Sequence, residues 1–535
     1  MSQNTKNNVS ENPCGNNIDT VELSKKGNLK NNEEIEFEDA LVLAGFGKYN
    51  YRLLILSIYS LLAAIAEVFS VGIIVATSQC DLELGVFEKG IIGSVPILGV
   101  IASAHFWGYL ADTRGRLYTL HITIIGTAIF AFLCSFANHW IFLMAAKLFS
   151  AIFACGTNAV IFSLLGESTL QTHRARFLLY ASTGIMFSQA VICAVAYPTL
   201  QLTFAFYIPF LNFIYRPWRL LNQVIALLSV LNYFLLKCYV LESPKFYVSK
   251  GEHDKGLEIL KQMFAVNSGR SKDELSVKKI VLNEDENRTK SSNFFQSIWN
   301  QTTPLFNKKH LKNTLLIFGI SVPTYCICPP FSVWMPYIFN NYQNLGEPGM
   351  SFCEMFNVRT YSGNETTFTE ADLVCDDTIV PFTFAVITGF ACTITVVSII
   401  SVVIVKYIGK KWTYIGFHLL ATTLAAIIDF VPIEWGVVAF VGMMCNVVCM
   451  GITTSYAVEL FPTYMRAMVV GLSMMFGRGI SFIFFNIIGG QLMNNCSNFF
   501  LYLAVFLFAG ASLGLFLPSD KNTTEKKSDD FSSPQ

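Results

Sequence analysis

The sequence predicts an all-α membrane protein with about twelve spanning helices, arranged as two similar six-helix halves. Hydrophobic residues make up 53% of the chain and charged residues only 14%, whereas an ordinary soluble domain is about one quarter charged. The apolar residues are gathered into runs of about 20, each long enough to cross about 30 Å of hydrocarbon. A short charged pattern also recurs after the fourth and the tenth run. A water-soluble fold could not bury this much apolar surface.

The apolar runs fall into two sets of six, separated by a charged segment at 242–312. The first set covers 52–76, 90–110, 117–137, 140–165, 177–197 and 220–241, and the second covers 315–339, 380–405, 412–430, 435–458, 468–489 and 499–517. The division predicts an N-terminal bundle at 49–241 and a C-terminal bundle at 313–518, with tails at 1–48 and 519–535.

Lysine and arginine orient the bundle, because short loops rich in these residues remain in the cytosol. Arg114, Arg174, Lys410 and Arg466 lie in alternate loops on one side. We therefore expect both tails and the 242–312 segment in the cytosol, and the long loop at 340–378 on the opposite side. The first 48 residues contain no apolar run behind a basic start, so we expect no cleaved signal peptide.

The loop at 340–378 carries the features of an extracytosolic segment. It contains an N-glycosylation sequon at Asn364. Four cysteines, Cys80, Cys353, Cys375 and Cys496, face the predicted oxidising side and allow three pairings. We expect a disulfide between Cys353 and Cys375, because they share this loop.

The recurring charged pattern follows the fourth and tenth apolar runs. In each copy a glutamate, Glu167 or Glu459, precedes an arginine, Arg174 or Arg466, by seven residues, and an alanine follows. On one continuous helix such residues stand about 10 Å apart along the axis. We therefore expect each to find its partner in another loop.

A second motif lies in the loop after the second run, where Gly108 to Arg116 read G-x-x-x-D-x-x-G-R. Gly115 permits a tight turn between two spanning helices, and Asp112 and Arg116 remain at the water boundary. Together with the recurring pattern, these residues predict a cytosolic gate whose opposite charges join the halves in an outward-open state and separate in an inward-open one. Its members are Asp112, Arg116, Glu167, Arg174, Glu459 and Arg466.

Three ionisable residues fall inside predicted spans: Glu67, Lys147 and Arg478. A charge at that depth costs several kcal/mol unless it is paired or hydrated, which makes each a candidate substrate or coupling residue. Two alternatives remain open. Glu67 and Lys147 can form a fixed salt bridge, and Arg478 can pair at the cytosolic gate or with backbone carbonyls.

Aromatic and small polar side chains supply further candidates for a central cavity, with ordinary packing between helices as the alternative for each. Prolines in the seventh run predict a broken or kinked helix that exposes backbone carbonyls toward the cavity. The cavity candidates are Tyr325, Trp334 and Asn446, and the prolines are Pro323, Pro329, Pro330 and Pro336.

The G-x-x-x-D-x-x-G-R loop resembles a motif of the major facilitator superfamily. Tyr215 to Arg219, Leu241 to Phe246 and Glu459 to Arg466 resemble segments of one branch, the synaptic vesicle glycoprotein 2 family and its organic-ion transporter relatives. The resemblance implies the major facilitator fold with twelve helices, alternating access and a small-molecule or ion substrate. It also implies a cation- or proton-binding role for Glu67, with Lys147 as its counter-charge or as an anion anchor.

The chain departs from that family's pattern at residues connected with coupling and gating. Ala64 stands where family members commonly have aspartate, and Lys147 stands where they have arginine. In the second half, Lys406 occupies the place that corresponds to an aspartate.

Two function classes follow from these observations. The first is a secondary transporter of a small molecule or organic ion, with coupling to a cation or proton as an option. The alternative is a transport-inactive vesicle-membrane glycoprotein that acts in trafficking or partner binding. We expect no enzymatic activity, cofactor or metal, because no nucleophile elbow, metal-ligand set or phosphate loop is present.

The expected surroundings are those of a multi-pass membrane protein. Net charge is zero and no basic stripe interleaved with aromatics occurs, so we expect no nucleic-acid partner. The expected partners are the substrate and the lipid bilayer, and we expect a monomer. The plasma membrane and a secretory or synaptic-type vesicle membrane both fit.

Overall fold

The computed structural model describes residues 34–209, 213–275, 277, 279–281, 302–347, 349–356, 378–461 and 466–518. Within these ranges twelve long helices build the bundle. They are α1 Lys48–Thr77, α2 Val86–Arg114, α3 Arg116–Cys134, α4 Trp140–Glu167, α5 Gln171–Leu200, α6 Pro217–Tyr239, α7 Lys308–Asn344, α8 Pro381–Ile408, α9 Lys410–Ile427, α10 Ile433–Glu459, α11 Arg466–Asn494 and α12 Cys496–Gly514. The predicted all-α membrane fold is confirmed.

Eleven of these helices are long and apolar enough to cross a membrane, and α9 is the exception. It has 18 residues, begins with Lys410 and Lys411 and contains the buried His418, which lowers its hydropathy. It nevertheless packs closely along α12, where a methyl group added at Gly514 would lie 2.9 Å from the Tyr414 ring. α9 therefore occupies the twelfth position of the bundle.

The two halves repeat the same tight turn. Gly115 separates α2 from α3 with φ 111°, and Gly409 separates α8 from α9 with φ 90°. Both values lie in the region that residues with a Cβ rarely adopt. Two single-residue turns at equivalent places support the internal repeat that the sequence predicts.

Helix α7 is discontinuous, as its prolines predict. Its first segment is Lys308–Tyr325, and its second segment begins at Cys328. Pro329 and Pro330 have no N–H to donate to the carbonyls four residues earlier, so the helix breaks before them. Opposite it, α10 tightens into a 3-10 turn at Cys445–Val448. Interrupted helices at corresponding depths are typical of transporter binding regions.

Smaller elements flank the bundle. At the end where Arg116 lies, the segments before α1 and after α6 fold together, and Asn267 joins them by accepting from the Tyr49 amide at 2.9 Å and donating to the Gly45 carbonyl at 2.8 Å. Strand β1 Glu34–Glu36 pairs in parallel with β4 Lys279–Val281, and β2 Phe206–Ile208 pairs antiparallel with β3 Phe213–Tyr215. The short helices are Phe37–Ala44, Pro244–Ser249 and His253–Ser268, with 3-10 turns at Lys272–Glu274 and Thr303–Phe306.

The expected Cys353–Cys375 disulfide is wrong, because Cys353 is bonded to Cys496 at the start of α12. The Asp429 carboxylate accepts from the Cys353 amide and from the Ser351 hydroxyl, each at 2.9 Å. These bonds hold the beginning of the loop over the α9–α10 turn and bring Cys353 to α12. Cys80 is also disulfide-bonded. Cys375 and the sequon at Asn364 lie outside the described residues.

Candidate functional site between the two halves

The two halves meet at the end of the bundle that carries the Cys353–Cys496 bond, here called the disulfide end. A methyl group added at Gly72 of α1 would lie 2.7 Å from the Val333 carbonyl oxygen of α7. One added at Gly93 of α2 would lie 2.5 Å from the Phe485 ring of α11. Small residues therefore allow helices of opposite halves to approach closely here.

Polar and aromatic contacts reinforce the disulfide end. Asn486 of α11 donates to the Ser94 hydroxyl of α2 at 3.0 Å. Tyr197 of α5 packs edge-on against Phe384 of α8, with ring centroids 5.9 Å apart. Three helix pairs, α1 with α7, α2 with α11 and α5 with α8, thus close this end.

At the opposite end, here called the Arg116 end, a charged cluster lies within the first half. Arg116 donates to Asp112 at 3.0 Å and to Glu167 at 2.9 Å. Glu167 also accepts from the Ser243 hydroxyl. The Glu242 carboxylate accepts from the backbone amides of Arg116 at 3.0 Å and of Leu117 and Ser243. The cluster ties the α2–α3 turn to the ends of α4 and α6.

Burial raises the pKa of the Glu242 carboxyl, and the three backbone amides that donate to it offset part of the rise. The same carboxylate lies against Gly115, where an added methyl group would come within 2.6 Å of Oε2. Glycine is therefore needed at position 115 for two reasons. The backbone has a positive φ there, and a side chain would collide with the Glu242 carboxylate.

We predict that Gly115→Ala lowers the thermal stability of the purified protein, by about 1–3 kcal/mol for the strained backbone alone. Gly108→Ala is the matched control, because Gly108 belongs to the same motif, is helical and has no atom within 4 Å of an added methyl group. That substitution should be neutral or slightly stabilising. Equal midpoints of thermal unfolding for the two variants would refute the role given to Gly115.

Two further predicted gate residues, Arg174 and Glu459, also pair within their own halves. Arg174 donates to Glu38 at 2.7 Å, and Glu459 accepts from Lys410. Glu167 does not pair with Arg174, seven residues later, as the spacing in the first copy predicts. The Arg466 side chain lies outside the described part of the structure. Among the five gate residues whose side chains are described, no ion pair joins the two halves at the Arg116 end.

Arg478 lies near the middle of α11, between the halves. It is 12 residues from the start of the helix and 16 from its end, or about 18 Å and about 24 Å. Its charge acts on Tyr325 of α7 and on Cys155 of α4, so both halves contribute to its surroundings. The side chain is half-buried and forms no hydrogen bond or ion pair with any described residue. Among the described residues, Arg478 pairs neither with a gate residue nor with a backbone carbonyl, the two alternatives that the sequence left open.

Glu67 and Lys147 form a fully buried ion pair inside the first half. Their charged atoms are 2.7 Å apart and both side chains are only 1% exposed. Lys147 also donates to Ser70 at 3.1 Å, and Ser150 donates to Glu67 at 2.7 Å. The second carboxylate oxygen, Oε2, has no partner among the described residues. The pair is closed off from the space beside Arg478.

The other cavity candidates have different positions. Tyr325 is 5% exposed and packs its ring against Gly477, beside Arg478. Trp334 packs against Gly489 at the disulfide end, within the second half. Asn446 is buried and donates to the Pro323 carbonyl at 3.5 Å, shortly before the break in α7. Of the three, Tyr325 is the one placed to contact a ligand at Arg478.

Four residues of the charged clusters at the Arg116 end were absent from the predicted sites: Glu38, Glu242, Ser243 and Lys410. Glu242 and Ser243 belong to the Leu241 to Phe246 segment that carries the family resemblance, and this signal could have identified them. Glu38 and Lys410 are single charges in segments rich in charge, and nothing in the pattern distinguishes them.

This chain belongs to the Major Facilitator Superfamily, whose family model matches residues 55–484. The synaptic vesicle glycoprotein 2A of Rattus norvegicus is 25% identical over 342 residues, which cover 59% of this chain and 45% of that protein. The synaptic vesicle glycoprotein 2C of Mus musculus is 29% identical over 241 residues, covering 44% and 32%. The aligned regions thus span less than half the length of these curated relatives.

Solved transporter structures share the fold. The xylose transporter XylE from E. coli, in a partially occluded inward-open conformation, matches with a TM-score of 0.61 and 11% identity, covering 88% of this chain and 100% of that chain. The nucleoside transporter NupG, crystallised as a point mutant, matches with a TM-score of 0.57 and 12% identity, covering 88% and 99%.

Proposed function

We propose that this chain is a secondary transporter that carries a small organic anion by alternating access, with the anion bound at Arg478. The observation that carries this proposal is the position of Arg478, half-buried near mid-helix and without an ionic partner among the described residues. An unpaired cation at this depth is costly. An anionic ligand would supply the missing counter-charge.

The neighbours of Arg478 fit such a ligand. The hydroxyl of Tyr325 makes no hydrogen bond with a described residue, so it is free to donate to a carboxylate or similar group. Because Cys155 belongs to the first half and Tyr325 to the second, a bound anion would contact both halves. That placement lets ligand binding influence the relative position of the halves.

The two ends of the bundle support alternating access. The disulfide end is closed by packing between halves, while the charged groups at the Arg116 end are satisfied within each half. In the proposed orientation, with both termini in the cytosol, the anion enters or leaves on the cytosolic side in this state. We propose the plasma membrane or a secretory-type vesicle membrane as its location, and a transport role in place of an enzymatic one.

The enclosure of the Glu67–Lys147 pair favours a fixed ion pair over a coupling site. Proton coupling through Glu67 would require this pair to separate, and its 2.7 Å contact is shielded from water on all sides by buried residues. We therefore propose that the pair maintains the packing of α1 on α4.

The test is uptake by the purified chain in liposomes, with a panel of organic anions, organic cations and uncharged sugars, with and without a pH gradient. We expect uptake of one or more anions. Arg478→Gln should lower the initial rate at subsaturating substrate at least about tenfold, since a hydrogen bond to a charged group contributes roughly 1.5–3 kcal/mol. Arg478→Lys should retain part of the rate.

Arg270→Gln is the matched control, because Arg270 is exposed in the segment after α6 and should leave uptake unchanged. Anion uptake that is equally fast in wild type and Arg478→Gln would refute the site. Uptake of cations or sugars alone would refute the substrate class, and no uptake by any panel member would favour the transport-inactive glycoprotein.

A further inference from the structure

A groove of about 700 Å³ lies at the Arg116 end of the bundle, between the beginning of α1 and the end of α6. Lys48, Tyr51 and Arg52 line it from α1, and Tyr239 lines it from α6. All four side chains are exposed. Farther from the helix ends the lining, here called the apolar floor, is formed by Ile55, Leu56 and Leu235 of the same two helices.

The groove opens on the outer side of the first half, away from the space beside Arg478. Gly72 marks the face of α1 that contacts α7. Ile55 lies 17 positions before Gly72, and Arg52 lies 20 positions before it. At 3.6 residues per turn, Ile55 points about 100° away from that face and Arg52 about 160° away. Ile55 is 65% exposed. In a membrane, this exposed apolar side of the bundle would face lipid.

The rim of the groove carries two positive charges, and no described carboxylate pairs with them. Neither Lys48 nor Arg52 forms an ion pair or a side-chain hydrogen bond with a described residue, and Arg52 lies over the Tyr239 ring at 5.5 Å. None of the described residues that line the groove is acidic. The beginning of α1 adds the positive end of a helix dipole.

We infer that this groove binds an anionic phospholipid of the adjacent leaflet, with the headgroup phosphate at Lys48 and Arg52 and an acyl chain along Ile55 and Leu235. Three features agree with this occupant: the cations sit at helix ends where headgroups lie, the tyrosines suit the interface, and the floor is apolar. In the proposed orientation this is the cytosolic leaflet, which contains most of the anionic lipid.

The experiment measures binding to the purified full-length chain in neutral detergent. The probes are dioctanoyl phosphatidylserine, dioctanoyl phosphatidylcholine and inorganic phosphate, titrated separately and followed by microscale thermophoresis. We expect phosphatidylserine to bind tighter than phosphatidylcholine, with a preference that shrinks as salt is raised. Inorganic phosphate should bind far more weakly than either lipid, because it gains nothing from the apolar floor.

The double variant Lys48→Gln/Arg52→Gln should weaken phosphatidylserine binding at least about tenfold, since it removes both cations that would hold the phosphate. It should weaken phosphatidylcholine binding much less, because the choline cation of that lipid offsets the charge of its phosphate. The matched control is Lys309→Gln/Lys406→Gln, which removes two exposed cations at the same end of the second half. Ile55→Trp places a larger side chain at an exposed position of the groove. It should fill the groove and weaken the binding of both lipids.

Several outcomes would overturn the inference. These are equal affinity of the wild type for the two lipids, an unchanged phosphatidylserine affinity in Lys48→Gln/Arg52→Gln, or an equal loss in the control pair. Tight binding of inorganic phosphate alone would assign the cations to a soluble anion instead of a lipid. Size-exclusion profiles of all variants confirm that each is folded, so a failure to fold is distinguished from a loss of binding.

Discussion

Lys147→Met is expected to lower the stability of the protein by about 3–5 kcal/mol, the cost of leaving one member of a buried ion pair without its partner. Lys147 and Glu67 are each 1% exposed, so water cannot compensate the carboxylate. Ser150 would remain as a hydrogen-bond donor to Glu67, but a neutral hydroxyl does not replace the charge. The measurement is the thermal unfolding midpoint in detergent, together with the yield of monodisperse protein.

The double variant Glu67→Gln/Lys147→Met is the control for this prediction. It removes both charges while the glutamine keeps an oxygen for the Ser150 hydroxyl, so most of the lost stability should return. A single variant as stable as the wild type would show that the ion pair contributes little. If the double variant is stable but shows no anion uptake, Glu67 and Lys147 act in coupling and the fixed-pair proposal fails.

Cross-linking the disulfide end is expected to abolish transport. Ser94 and Asn486 join α2 to α11 through a 3.0 Å hydrogen bond, so cysteines at these positions are close enough to oxidise. A covalent bond there would hold the two halves together at the end that must open for the other half of the cycle. Oxidised Ser94→Cys/Asn486→Cys should therefore lose essentially all uptake, and reduction should restore it.

The two single variants receive the same oxidation and reduction, which controls for the native Cys353–Cys496 bond. Both should remain active throughout. Undiminished uptake by the fully cross-linked double variant would mean that this end never opens, and alternating access between the two halves would be refuted.

Most of the fold could be predicted from the sequence, because long apolar runs and lysine-rich loops depend on local composition. The broken α7 also followed from Pro329 and Pro330, whose missing N–H groups act locally. Composition is a weaker guide to α9, because Lys410 and His418 lower its mean hydropathy. Its place in the bundle depends instead on its packing against α12. The Cys353–Cys496 bond depends on how the loop folds over Asp429, which spacing along the chain does not reveal.

The candidate site was predicted less completely. Glu67, Lys147 and Arg478 could be identified because charge within an apolar run is conspicuous. The different surroundings of these three residues could not be predicted. Whether Glu67 and Lys147 pair depends on which faces of α1 and α4 are in contact. For Arg478 the decisive property is the lack of a described partner, and that is visible only in three dimensions.

Distances between spin labels at the two ends of the bundle test alternating access most directly. Gln171→Cys with Tyr407→Cys reports the Arg116 end, and Leu202→Cys with Phe382→Cys reports the disulfide end. All four positions are exposed. In both double variants serine replaces the exposed cysteines Cys238 and Cys392, and also Cys14 of the N-terminal tail, so that the labels attach at the intended positions.

Pulsed electron resonance in liposomes is recorded with and without the transported anion. Alternating access predicts that the anion shifts the Gln171–Tyr407 distribution toward shorter distances and the Leu202–Phe382 distribution toward longer ones, and that Arg478→Gln abolishes both shifts. Distributions that stay the same at both ends, with a confirmed transported anion present, would contradict it.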